Sequence, residues 1–152
     1  LIYALDCEFN GFGGELISLA LAGERRELYL ARPEEELDAL SLHPWVEENV
    51  LPVLCVPQAR PALLALSGFG PAIQAFLRED PAPALIADWP EDLMHFMQCL
   101  ILAPGQMARI PDLSMRLLQV TSYPERQGES AAHNALWDAR ALRQAALAIG
   151  LA

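Results

Sequence analysis

Leu1-Ile2-Tyr3-Ala4-Leu5-Asp6-Cys7-Glu8 is an apolar run that ends in two carboxylates two positions apart. The residues Ile2 to Cys7 read as a strand. Successive side chains of a strand point to opposite faces, so Asp6 and Glu8 share one face, about 7 Å apart, while Cys7 turns to the other. Two carboxylates placed that way can grip a divalent cation. The alternative is a strand running out into solvent, where acidic residues cost nothing.

Outward from this strand, Glu15 to Ala22 and Glu27 to Ala31 read as two more. The glycine-rich Gly11-Phe12-Gly13-Gly14 joins the first pair and Gly23-Glu24 the second, and such short turns imply antiparallel pairing. The stretch from Arg32 to Ser67 carries five prolines and the acidic run Glu34-Glu35-Glu36, with room for a short helix starting at Pro44. Its Trp45, Val46, Leu51, Val53, Leu54 and Val56 suggest that it packs on the domain rather than linking two. Pro71 to Glu79 reads as a helix with proline at its start, and Leu85 to Ala87 as a buried parallel strand. A helix after Pro90, another near Asp112 to Gln119 and a weakly signalled strand near Leu100 to Ala103 complete the body. The expected fold class is α/β, with a mixed central sheet flanked by helices, and one domain over residues 1–152.

The C-terminal stretch from Asn134 to Ile149 has Ala135, Ala139, Leu142, Ala145, Ala146 and Ile149 at helical spacing. At about 100° per residue Asp138 falls inside that apolar face, whereas Arg140, Arg143 and Gln144 fall outside it. A carboxylate on a core-facing stripe has to be protonated, hydrogen-bonded or bound to metal. His133 lies five residues before Asp138, roughly 140° around a regular helix, which places it at the helix mouth on the end of the loop Thr121 to Ser130. Asp88 follows the apolar Ala84-Leu85-Ile86-Ala87. It can either join the other acids or favour the positive end of the helix that follows. Asp92 is a rival to it, expected to point elsewhere because it lies one turn into that helix. His43 and His95 have no acidic partner at useful spacing and read as surface or packing residues.

A chain of 152 residues is long enough for a real core. No apolar run approaches the ~20 residues that cross a bilayer, and no basic-then-apolar leader opens the sequence. Cys7, Cys55 and Cys99 form an odd set without CxxC spacing, which argues against a disulfide framework and against zinc and favours a reducing, cytoplasmic setting.

In Asp6-Cys7-Glu8, in Asp88 after its apolar strand, and in His133-Asn134-Ala135-Leu136-Trp137-Asp138, the chain resembles the DEDDh class of 3′–5′ exonucleases, the DnaQ-like branch of the RNase H-like superfamily. Within that class Asp6-Cys7-Glu8-Phe9 through Leu16-Ile17-Ser18-Leu19, with Trp45-Val46-Glu47 and Val50-Leu51-Pro52, is most similar to the small bacterial exoribonucleases called RNase AS. The likeness covers nearly the whole chain, and its first and last motifs are the specific ones. One departure is Ala87 before Asp88, where many relatives carry an aromatic residue or a spaced Asn. The resemblance implies an RNase H-like fold and two Mg²⁺ or Mn²⁺ ions, with Asp6 bridging them, Glu8 and Asp138 completing one shell and Asp88 holding the second ion through water. It also implies His133 as the general base, nucleoside 5′-monophosphates as products, single-stranded RNA as substrate in preference to DNA, and a homodimer.

The formal charge of −10 argues at first against a polyanionic partner. Two bound divalent ions would restore positive charge where a phosphate must lie. All ten basic residues are arginine, and Arg109, Arg116 and Arg126 precede His133, where they can fork onto phosphates or simply be solvated. Phe9 and Phe12 flank the first motif and can stack on bases or fill core. A DNA exonuclease and a catalytically inactive nucleic-acid-binding relative stay open beside the exoribonuclease, because no motif here reports contacts to the 2′-OH.

Overall fold

Strict alternation organises β1 (Ile2–Phe9) in the computed structural model, which describes residues 1–123 and 131–151. Tyr3, Leu5 and Cys7 enter one apolar cluster, while Ala4 enters another on the opposite face. β2 (Leu16–Ala22) and β3 (Glu27–Ala31) follow antiparallel, as their short turns require. Every residue of β2 is buried, which suits an apolar run covered on both faces. β5 (Ala84–Ala87) lies parallel to β1 on its other side. β4 (Ala62–Leu63) and β8 (Ser114–Leu117) close the edges, giving a mixed sheet in the order β4-β3-β2-β1-β5-β8. β6 (Ile101–Ala103) and β7 (Gln106–Met107) form a separate antiparallel hairpin, the first of them at the weakly signalled site.

Helices cover both faces. α3 (Phe69–Leu77) and α4 (Pro90–Cys99) bring Phe69, Ile73, Leu77 and Phe96 against Tyr3, Leu5 and Cys7. α5 (Ala135–Ala148) covers the other face, where Ala135, Ala139 and Ala146 share one buried cluster with Ala4, Ala20 and Ala22. Small residues on both sides let the helix lie close to the sheet. The proline-rich stretch does pack on the body: Val46 and Val50 join Leu37 and Ile17 in a third cluster, and α2 (Pro44–Asn49) starts at the expected proline. Trp45 is the exception, nearly half exposed. Among the described residues no helix is long and apolar enough to cross a membrane.

The residues 112–119 are not helical. Ser114 to Leu117 form β8, paired with Ala84 to Ala87, because the free edge of β5 offers backbone partners to a segment with little periodicity of its own. Ile149 lies outside the buried stripe, 64% exposed beyond the end of α5. The acidic run Glu34 to Glu36 is the first turn of α1 (Glu34–Asp38), where glutamates meet the positive end of a helix.

One mismatch of length sets up everything that follows. Along β1, β5 pairs with Ile2 to Ala4 and ends at Ala87, whereas β1 runs on to Phe9. Among the described residues, Asp6 to Phe9 therefore have β2 on one side and no strand on the other.

Candidate metal centre

The gap beside the second half of β1 is filled by the turn from β5 into α4. The Cys7 N–H donates to Oδ1 of Asp92 at 3.2 Å, so a side chain takes the place of a ladder acceptor. Asp92 is 2% exposed and does not point away from the acids, contrary to its expected place one turn into the helix. The first turn of α4 crosses the open edge of β1, which a reading of α4 alone could not anticipate. Carboxylate oxygens of Asp6, Asp88 and Asp92 lie within 4.8 Å of one another. Oδ2 of Asp88 accepts the hydroxyl of Tyr123, and no side chain caps α4, so Asp88 is not a helix cap.

α5 supplies the other half. Glu8, His133 and Asp138 also place ligand atoms within 4.8 Å of one another. Asn134 starts this helix: its Oδ1 accepts the Trp137 N–H at 3.1 Å, and its amide donates to the Val53 carbonyl at 2.8 Å and to the Tyr29 hydroxyl at 3.2 Å. These bonds fasten the start of α5 to β3 and to the proline-rich stretch. His133 stands at the helix mouth with φ of 63°, in the left-handed region that costs a non-glycine residue roughly 1–2 kcal/mol. That turn swings its ring toward Glu8 and Asp138, which regular helical geometry would forbid. The His133 N–H donates to Oδ2 of Asp138 at 2.9 Å, and its ring meets Trp45 edge-on at 4.8 Å.

Five carboxylates thus converge, and among the described residues no arginine lines either part of the cleft, which holds about 420 Å³ around Glu8, Phe12 and Trp89 and about 190 Å³ around Tyr123 and Ala141. Two carboxylates at 4.8 Å repel by about 3 kcal/mol at an effective dielectric near 20. A few such pairs rival the whole stability of a domain, about 5–15 kcal/mol. Burial, followed by Asp92, Asp138, Glu8 and Asp88, holds the Asp6 carboxyl well above the usual carboxylate range. Asp92 is pushed up to about 8, first by burial and then by the charge of Asp88. Bound cations would reverse both effects, and five carboxylates beside one imidazole fit hard divalent ions.

The rim is aromatic. Phe12 is 86% exposed and faces Trp89 with ring centroids 5.9 Å apart. Glu91 brackets them: one oxygen accepts the Gly13 N–H at 2.6 Å and the other the Trp89 indole N–H at 3.0 Å. Phe9 is half-buried and packs on His95, itself a buried packing residue, as expected. His43 caps α2 by accepting the Trp45 N–H. Arg109 does not reach the cleft; its backbone N–H donates to Gln74 on α3, on the far face of the sheet. Arg116 lies on β8 opposite Ile86 and lines neither part of the cleft. Arg126 falls outside the described residues. Trp89, Glu91 and Tyr123 went unread in the sequence, although Trp89-Pro90-Glu91 at a helix start beside Asp88 was a visible signal.

No family model matches the chain, and no curated protein matches it either.

Proposed function

We propose that the protein is a metal-dependent phosphodiester hydrolase with an RNase H-like fold, and more narrowly a DEDDh-class 3′–5′ exonuclease that shortens single-stranded RNA to nucleoside 5′-monophosphates. The observation that carries this is the meeting of Asp6 and Glu8 from β1, Asp88 from the end of β5 and Asp138 from α5, with His133 beside them and, among the described residues, no arginine lining the cleft. The mixed sheet order and the placement of α5 across β1 are compatible with that fold. Preference for RNA rests on the resemblance of the motifs to the RNase AS group.

Asp6 would help to hold both cations, with Glu8 and Asp138 on one and Asp88 on the second. Two bound Mg²⁺ or Mn²⁺ ions supply charge stabilisation for the attacking and leaving oxygens of an in-line displacement. The protein's own part begins with His133, whose imidazole takes a proton from the attacking water. The water oxygen forms the new bond to phosphorus, the bond to the 3′ oxygen breaks, and that oxygen takes a proton from solvent as it leaves. Glu8 and Asp138 orient the imidazole by packing beside it, and the N–H of His133 in turn fixes the Asp138 carboxylate. Phe12 and Trp89 offer apolar faces to the bases at the mouth.

The test is cleavage of matched 5′-labelled single-stranded RNA and DNA with Mg²⁺, Mn²⁺ or EDTA. RNA is shortened from its 3′ end only with metal, and Asp6→Asn abolishes cleavage while leaving the circular dichroism spectrum near that of the wild type. Undiminished turnover in EDTA, or full activity in Asp6→Asn, would sink the mechanism. Equal degradation of both substrates would move the protein to the DNA exonucleases.

A further inference from the structure

Trp45 is nearly half exposed, so its indole is not there to fill core; on the same helix Val46 and Val50 do that. What the indole does meet is the ring of His133, at 4.8 Å with the planes 79° apart. Ties at both ends of the proline-rich stretch set that contact. The His43 N–H donates to Oδ1 of Asn10 at 2.7 Å, and the Asn10 amide donates to the Ser41 carbonyl at 3.0 Å, which fastens the entry to α2 onto the turn that leaves β1 just after Glu8 and Phe9. The Trp45 N–H donates to Nδ1 of His43 at 3.1 Å, and the Asn49 amide donates to the Trp45 carbonyl at 2.9 Å. Beyond α2, the Val53 carbonyl accepts the Asn134 amide at 2.8 Å, so the same stretch is fastened to the residue that follows His133. His133 needs such a neighbour, because left-handed backbone at a non-glycine residue persists only where its surroundings hold it. Its N–H bond to Asp138 fixes the backbone, whereas the imidazole can still turn about its side-chain torsions. A rigid aromatic wall removes rotamers of that ring without competing for the ring nitrogens, as a hydrogen-bonding side chain would.

We infer that Trp45 is a positioning residue, whose indole confines the His133 imidazole beside Glu8 and Asp138. The inference rests on the hydrolase reading above, in which His133 takes the proton. The other use for an exposed indole is a platform for substrate, and kinetics separates the two: a platform acts on KM, a wall for the base on kcat.

Trp45→Leu and Trp45→Phe, each alone and combined with His133→Ala, test this on whichever of matched single-stranded RNA and DNA the wild type cleaves faster. Trp45→Leu should lower kcat by about ten- to a hundredfold with KM little changed. Trp45→Phe should recover most of that loss, and Trp45→Leu should cost nothing further once His133 is alanine. Proton NMR gives a reading apart from activity: the ring protons of His133, identified among the three histidines by their loss in His133→Ala, should carry a ring-current shift that disappears in Trp45→Leu. Full kcat in Trp45→Leu, an equal loss in the His133→Ala background, a rise in KM alone, or unchanged His133 ring shifts would each overturn the role of Trp45 and leave the hydrolase standing. A Trp45→Leu chain that does not fold would do the same, since the indole would then be structural. A wild type that cleaves neither substrate would overturn both readings.

Discussion

The two halves of the acidic cleft are built in opposite ways. Asp6, Asp88 and Asp92 sit on a strand, at a strand end and in the first turn of a helix, with two buried oxygens that have no hydrogen-bond partner among the described residues and no imidazole in the group. Glu8, His133 and Asp138 include a residue in left-handed backbone just ahead of a helix cap, less buried and leaning on Trp45. The inner half is electrostatically stressed; the outer half is strained in its backbone and carries the imidazole. On the proposed function this contrast is a division of labour, with the inner group holding charge and the outer group moving a proton.

The largest effect that would break this division is the loss of Asp6, which should cost more activity than the loss of any other single group. Next, His133→Ala should lower kcat by about 10²–10⁴-fold, the usual worth of a positioned general base. In steady-state assays, with Mn²⁺ titrated in parallel, the inner site should retain its affinity. A loss of inner-site affinity as well would merge the two halves.

A smaller effect separates them by pH. The Asp92 carboxyl has an ordinary value of 3.8 and is raised to about 8 in the fold, so between these values the folded chain holds a proton that the unfolded chain has released. Stability without metal therefore falls as pH rises through that window, and thermal melts should show the wild type more stable near the ordinary histidine value of 6.5 than at pH 8. Staying above 6.5 avoids His95, whose burial lowers its value and acts in the opposite sense further down. Each kcal/mol moves the midpoint by about 2–4 °C in a chain of this size. The difference should shrink in Asp92→Asn and reverse with saturating Mn²⁺. A flat profile would mean that the inner carboxylates are hydrated rather than buried.

The smallest effect concerns the cap at the start of α5. Asn134→Ala removes the helix cap and the bonds to Val53 and Tyr29, and urea unfolding should show a loss of about 2 kcal/mol. Its kcat should fall while inner-site Mn²⁺ affinity holds.

What could be read from the sequence follows the range of the signal. Alternation put Asp6 and Glu8 on one face of β1, and helical spacing put Asp138 on the inner stripe of α5, because both patterns are local. His133 was readable as the helix mouth, though not as a left-handed residue. Asp92 was misread because its direction depends on β1 outrunning β5, a fact about two strands some eighty residues apart. The same distance dependence hid β8, whose four exposed residues carry no period until β5 pairs with them. Arg109 shows the limit of proximity in sequence: it precedes the motif of α5 and lies on the other face.

The alanines between α5 and the sheet act as a gauge block. Ala135, Ala139 and Ala146 against Ala4, Ala20 and Ala22 fix how far Asp138 stands from Asp6 and Glu8, although none of them takes part in any chemistry. A methyl or two added at such a contact costs about 1–3 kcal/mol, which a domain can survive. A shift near 1 Å at a catalytic group can cost about a hundredfold in rate. On the proposed function, variation at these six positions would therefore be filtered by catalytic spacing well before it is filtered by folding, and a narrow tolerance would lie among the plainest residues of the chain.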